Sequence, residues 1–205
     1  KPTGLQRTYP NAINFEGVHG LETMKWLGAE HDQISYDVTL PFIRGVAGPV
    51  DYTPGAMRNA ARGEYEPNYS RPMSQGTRIH QLAMYVLYNQ PLAMLCDSPT
   101  AYEAEAEYSR FLAQIPTIWR EWRCTDGKIG EYIVAEGVTD GVSYVAGLNG
   151  SAPREVTISL SNRDIETCVE IFSDSVAEEA NSPAYEYKRI DKESLPEQLT
   201  LRMEA

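Results

Sequence analysis

Positive charge is scarce in this sequence. Eighteen Lys and Arg stand against 29 Asp and Glu, a net charge of −11 over 205 residues. That balance argues against a nucleic-acid partner, because holding phosphate backbones needs clustered Lys and Arg. Long hydrophobic runs are missing as well. No stretch approaches the ~20 apolar residues of a membrane-spanning helix, and the mean hydropathy is −0.42. Cysteines are few and odd in number, at Cys96, Cys124 and Cys168. With no Cys-x-x-C among them, a zinc site or a thioredoxin-like redox motif is not expected. Phosphate-cradling glycine loops, His-Glu-x-x-His and Gly-x-Ser-x-Gly are also absent, which disfavours a nucleotide-binding loop, a zincin and an α/β-hydrolase. The chain opens Lys1-Pro-Thr-Gly with no initiator Met and no signal-like apolar segment. Lys1 therefore reads as an internal position of a longer polypeptide, either cut from a precursor or a fragment.

What is present is core-forming material. Apolar residues make up 42% of the chain, with 13 Tyr, 3 Trp and 4 Phe, so a folded domain is expected rather than disorder. The texture changes near Ile118. Residues 1–118 carry 9 Lys/Arg against 12 Asp/Glu, residues 119–205 carry 9 against 17, and most prolines fall in the first part. The first part reads as helices joined by Pro/Gly loops. Apolar spacing predicts a helix over Gly20–Glu30, with Leu21, Met24 and Leu27 on one stripe. A second helix is predicted from about Gly76 to Asn89, stopped by Pro91. A third runs from about Thr100 to Gln114, entered through Ser98-Pro99. Val38–Val46 is apolar, but Pro41 is expected to break any regular element there. After Ile118 the sequence reads as about five short strands: 130–136, 142–148, 156–160, 168–172 and 198–203. A hairpin turn is expected at Thr139-Asp140-Gly141, and the strand count suggests a small β-sandwich.

The segment Arg7–Glu22, RTYPNAINFEGVHGLE, holds two carboxylates around a glycine-containing turn. On one helix Glu16 and Glu22 would point about 120° apart. They converge only if Glu16 sits in a loop and Glu22 in a first helical turn, which Gly17 and Gly20 permit. Two converging carboxylates can bind a hard cation such as Ca²⁺. They can also divide into a proton donor and an anion, the chemistry that cleaves acetals. The plainer alternative has Glu22 favouring a helix N-terminus and Glu16 solvated. Asp51, in the loop GPVDYTPG, is ambiguous in the same way: a local turn bond or a site group. His80 lies among Ile79, Leu82 and Ala83, as a packing histidine does. His31 could reach a site loop. Trp119 and Trp122 could stack on sugars, with packing their default role.

Four blocks in order carry a resemblance: KPTGLQRTYPNAINFEGVHGLE, DVTLPFIRGVAGPVDYTPGAM, GTRIHQLAMYVLYNQPLAMLCDSP and FLAQIPTIWREWRCTDGKIGEYIVAE. Together they resemble glycoside hydrolase family 97, bacterial α-glucosidases and α-galactosidases, over essentially the whole chain. The resemblance implies α/β plus all-β architecture. Residues 1–118 would be the C-terminal portion of a (β/α)8 barrel, and residues 119–205 a small C-terminal β-sandwich domain. Barrel sites lie at the C-terminal ends of strands, here after a strand-like RTYPN. By motif, Glu22 matches the family's general acid, and Glu16 a carboxylate ligand of its Ca²⁺, with Glu22 on or near the metal.

The same resemblance sets what is not expected. The base of inverting members and the nucleophile of retaining members both precede Lys1, so retention or inversion cannot be read, and the isolated chain would be inactive. Where an Arg is expected after Glu16, this sequence has His19. An α-linked oligosaccharide is the implied substrate. The implied partner is the N-terminal part of the same polypeptide or another copy of the chain, and the implied location is the periplasm or outside the cell. The alternative is a non-catalytic fragment or carbohydrate-binding module that lacks the base or nucleophile.

Overall fold

A computed structural model describes residues 4–150, 152–161, 163, 165–175 and 185–204. Lys1 and the rest of the KPT opening lie outside the described residues. The chain starts with a 3-10 turn, Leu5–Arg7, followed by a further turn closed by the Ala12 N–H on the Tyr9 carbonyl. RTYPN is therefore not a strand, and Pro10 has no N–H to give a ladder. The extended chain comes later: Phe15 pairs with Val50 in a parallel bridge. The Asp51 N–H donates to the Phe15 carbonyl at 2.9 Å, and the Val50 N–H to the Asn89 carbonyl at 2.9 Å.

Between the two bridged points lies α1, Gln33–Ile43. A parallel pairing needs such a crossover connection. Asp32 caps this helix, its side chain accepting from the Ser35 N–H at 3.1 Å. Pro41 was expected to break the segment, yet it sits inside the helix. Proline cannot donate to the carbonyl four residues back, which is that of Asp37. The Tyr88 hydroxyl donates to that same carbonyl at 2.9 Å, so the missing bond is replaced. The expected helix at Gly20–Glu30 is instead a 3-10 turn, Leu21–Thr23, continued by turns at Trp26 and Leu27. Its apolar stripe is still buried at Leu21 and Met24. Glycines at both ends leave it too short to wind as a regular helix.

Two short parallel strands follow, β1 (Asn59–Ala60) and β2 (Ser74–Gln75). Helix α2 (Arg78–Leu87) matches the predicted one. Thr77 caps it by accepting from the His80 N–H at 3.0 Å. The predicted third helix is two helices, α3 (Pro99–Glu103) and α4 (Ala106–Leu112). The Ser109 hydroxyl donates to the Tyr102 carbonyl at 2.7 Å, near where the backbone leaves helical geometry at Glu105.

The rest is sheet. Strands β3 (Glu121–Lys128), β4 (Tyr132–Thr139) and β5 (Val142–Asn149) form an antiparallel sheet in that order. The predicted hairpin turn is present: Asp140 and Gly141 both have positive φ, 45° and 81°, between the paired Thr139 and Val142. That geometry suits Asp-Gly. Strand β6 (Arg154–Ser159) pairs with β9 (Gln198–Met203), and β7 (Cys168–Asp174) with β8 (Tyr185–Asp191). Two of these seven strands were not anticipated. β3 is exposed at every residue and carries a register shift between Cys124 and Asp126. β8 alternates Tyr with charged residues. Neither has the apolar alternation that marks a half-buried strand.

One buried cluster joins Leu21, Met24, Val38, Val50, Met84 and Leu87 to Ile133, Ala135 and Leu148 of the sheet. A second is built on Met57, Leu82, Tyr85, Tyr102, Tyr108 and Leu112, with Phe172 and Tyr185 packed against it. Both extend across the change of texture near Ile118.

Candidate active site

The parallel bridge sets the site. Phe15 and Val50 lie side by side, so the next residues, Glu16 and Asp51, leave the two strand ends together. Gly17 follows at φ +93°, a backbone conformation that favours glycine and turns the chain away. Arg44, at the end of α1, ties the ends down. Its guanidinium donates to the carbonyls of Phe15 (2.8 Å), Glu16 (3.0 Å), Gly48 (3.0 Å) and Pro49 (3.0 Å).

Glu22 arrives from the other side, in the 3-10 turn led by Gly20. Its Oε2 accepts a hydrogen bond from the Thr53 hydroxyl at 2.9 Å. The carboxylate folds back over Gly20, where a Cβ would lie 2.2 Å from Oε2. Only a residue without a side chain leaves Glu22 that position. Glu16 and Glu22 are both exposed, as groups that meet solvent or ligand must be.

Asp51 lies within the field of both other acids. Desolvation first, and then the charges of Glu16 and Glu22, raise its carboxyl above the usual carboxylate range. The Tyr36 hydroxyl joins the same field. Burial raises it, the His19 N–H donated at 2.8 Å lowers it, and Asp37, Arg44 and Glu22 all act on it. The His19 ring stacks on the Tyr36 ring at 5.6 Å and 23°. His31 is held by Gln33 at 2.8 Å, with its ring 6.3 Å from that of His19.

Of the sequence-predicted residues, Glu16 and Glu22 thus reach one neighbourhood, with Asp51 beside them. Thr53 and Tyr36 were not anticipated. The Pro/Gly frame of GPVDYTPG was the available signal for Thr53, since a rigid loop can present a hydroxyl. His80 is the packing histidine its neighbours suggested, but it is not bare of polar contact. Its Nε2 lies 3.2 Å from Oδ2 of Asp37, which is fully buried. Trp119 packs edge-on against Tyr144, and the Trp122 indole N–H donates to the Val86 carbonyl at 2.9 Å. Among the described residues, no group of three or more His, Cys, Asp or Glu side chains is gathered as a metal cage.

No protein-family model matches the chain. The retaining alpha-galactosidase of Bacteroides thetaiotaomicron is 55% identical over 161 residues, covering 78% of this chain and 24% of that protein. A probable retaining alpha-galactosidase of Streptomyces bingchenggensis is 31% identical over 159 residues, covering 78% and 22%. Among solved structures, a glycoside hydrolase family 97 enzyme variant from Pseudoalteromonas sp. in complex with panose superposes with a TM-score of 0.76. It is 27% identical and covers 98% of this chain and 31% of its own. The chain therefore spans about a quarter of the length of the curated relatives it matches.

Proposed function

From a chain that sequence and fold assign to glycoside hydrolase family 97, we propose the acid-bearing part of a retaining α-galactosidase acting on α-linked galactosides. The 55% identity to the Bacteroides thetaiotaomicron enzyme carries the reading. The parallel strand ends and the crossover helix between them support a place in the last units of a barrel, followed by a C-terminal β-sandwich.

Glu22 is the general acid. Thr53 holds one of its oxygens, which leaves the other to present a proton to the glycosidic oxygen as the bond to the anomeric carbon breaks. In a retaining mechanism a carboxylate nucleophile takes that carbon, and the acid then returns as the base that draws a proton from water. The nucleophile is supplied from outside these 205 residues, so the chain alone is inactive. Arg44 keeps the two strand ends in register while this occurs.

Glu16 and Glu22 would hold Ca²⁺. Carboxylates that share one neighbourhood, with their charges acting on Asp51 between them, are a hard, anionic donor set of the kind this cation takes. They would fill part of its coordination, with further ligands from the remainder of the polypeptide. When bound, the ion supplies positive charge that orients carboxylates and a sugar hydroxyl. The resemblance further supports export of the parent protein to the periplasm or beyond.

The test is Glu22→Gln in the full-length parent. Turnover should fall by about 10²–10⁴-fold for aglycones that leave poorly, and far less for good leaving groups. Equal losses across leaving groups would remove the assignment. Chelation with EDTA should abolish activity and added Ca²⁺ restore it.

A further inference from the structure

We propose that Tyr52 is a positioning residue for the reaction: its buried hydroxyl, clasped by Asp37 and Gln33, fixes the segment that carries Asp51 on one side and Thr53 on the other. The inference rests on the reading of Glu22 as the general acid and extends it to the group that aims Thr53. The backbone shows how Tyr52 controls its neighbours. Successive N–H groups turn to alternate flanks: Val50 donates to the Asn89 carbonyl at 2.9 Å, Asp51 to the Phe15 carbonyl at 2.9 Å, and Tyr52 to the Gln90 side-chain oxygen at 3.1 Å. That alternation is extended chain, in which successive side chains leave on opposite faces. Burial follows it, since Tyr52 is fully buried while Asp51 and Thr53 are half-buried. One face enters the core. The other meets Glu22, with the Thr53 hydroxyl 2.9 Å from its Oε2.

On the core face the hydroxyl is held twice. It donates to Oδ1 of Asp37 at 2.6 Å and accepts from the Gln33 amide at 2.8 Å. Burial, and then the charge of Asp37, hold it well above the ordinary tyrosine range, so it stays a donor. The ring stands edge-on to that of Tyr88, at 5.2 Å and 74°. Asp37 and Gln33 are themselves fully buried, and both belong to α1.

The same helix holds the opposite arm of the site. The Tyr36 hydroxyl accepts the His19 N–H at 2.8 Å, and Arg44 donates to the carbonyls of Phe15 and Glu16. Arg44 also ties the second arm at its base, through the Pro49 carbonyl. The Tyr52 hydroxyl grips that arm further along, next to Thr53. One rigid helix therefore spaces the arm bearing Glu16 and Glu22 from the arm bearing Asp51 and Thr53. A support of this kind acts on rate, because a shift of about 1 Å at a group that must deliver a proton is costly.

The experiment uses the full-length parent with Tyr52→Phe, which removes the hydroxyl and keeps the ring in the core. On an α-1,6-linked galactosyl disaccharide, whose sugar leaves poorly, kcat should fall about fivefold with KM within about twofold. On p-nitrophenyl α-galactoside, whose aglycone needs little protonation, both constants should stay within about twofold. Because Tyr52 acts through Thr53, Tyr52→Phe combined with Thr53→Val should lose no more than Thr53→Val alone. Losses that multiply, a loss shared equally by the two substrates, or full activity in Tyr52→Phe would each overturn the proposal. Gln33→Met answers the same question where Tyr52→Phe does not fold. It removes the amide partner of the hydroxyl and should show the same selective loss on the disaccharide, and equal losses on both substrates would again overturn the proposal. The cycle separates this from the role of Glu22. An unselective loss in Glu22→Gln would remove the acid and leave the coupling of Tyr52 to Thr53 in kcat intact. Independent effects of Tyr52 and Thr53, beside a selective Glu22→Gln, would remove the positioning role alone.

Discussion

Two acidic centres lie fifteen residues apart in sequence, at Glu22 and Asp37, and differ in almost everything else. Asp37 is fully buried. Its Oδ1 accepts from the Tyr52 hydroxyl at 2.6 Å and the Gln33 amide at 2.8 Å, and Oδ2 faces His80 at 3.2 Å. Even its backbone carbonyl is taken, by Tyr88. Around Glu22 the opposite holds: an exposed acid with, among the described residues, a single hydroxyl donor, near two more acids. A carboxyl whose hydrogen bonds are filled by fixed protein groups holds structure together. One left open, with like charges nearby, is available to a proton, a cation or a substrate. The functional group was a carboxyl in both places, and the number of fixed partners decided the role.

That contrast can be broken from either side. The largest effect is expected at the open centre, as the selective loss on poor leaving groups in Glu22→Gln, with thermal unfolding little changed. At the closed centre the expected loss is stability. Asp37→Ala strands the Tyr52 hydroxyl, the Gln33 amide and His80 in the core, at a cost of about 3–5 kcal/mol. Denaturant unfolding of the parent polypeptide would read it. A cost below about 1 kcal/mol would mean that the network is not filled as described. Thr53→Val falls between the two centres, because it removes the hydrogen-bond donor that Glu22 has among the described residues. The expected result is a several-fold fall in kcat, about 1 kcal/mol, with unchanged KM for the sugar and recovery in Thr53→Ser. A fall shared equally by both variants would make Thr53 a loop residue only.

Glu136 offers a third and smaller comparison. Burial raises its carboxyl, but hydrogen bonds from Arg123 (2.7 Å) and Arg163 outweigh burial and hold it below the usual range. A depressed carboxyl binds its proton less readily in the folded state. Its stabilisation is therefore present above about pH 4.3, the ordinary value for Glu. It is lost as pH falls through the folded value. Glu136→Gln should destabilise at pH 7 by about 1–2 kcal/mol and converge with the native protein near pH 3. A difference that stays constant across this range would rule out the ion pairs as its source.

Much of the site was legible in the chain itself. Glu16, Gly17, Gly20 and Glu22 are close in sequence, and glycine spacing is a local property that needs no knowledge of the rest. The Asp140-Gly141 turn and helix α2 were readable for the same reason. The chain through Pro41 was not, because the group that compensates it is the Tyr88 hydroxyl, 51 positions from the carbonyl it caps. The polar strands β3 and β8 were missed because partner strands, rather than apolar alternation, hold them in place.

The sequence alone determined the two carboxylates and the glycines that flank them. It did so because each follows from backbone freedom or periodicity over fewer than ten residues. Only the tertiary structure decided which acids stay open. That choice depends on which distant groups arrive: Thr53 beside Glu22, Asp51 beside Glu16, and Tyr52, Gln33 and His80 around Asp37. Hydrogen bonds reach about 3 Å, and chain distance says nothing about which partners come within it.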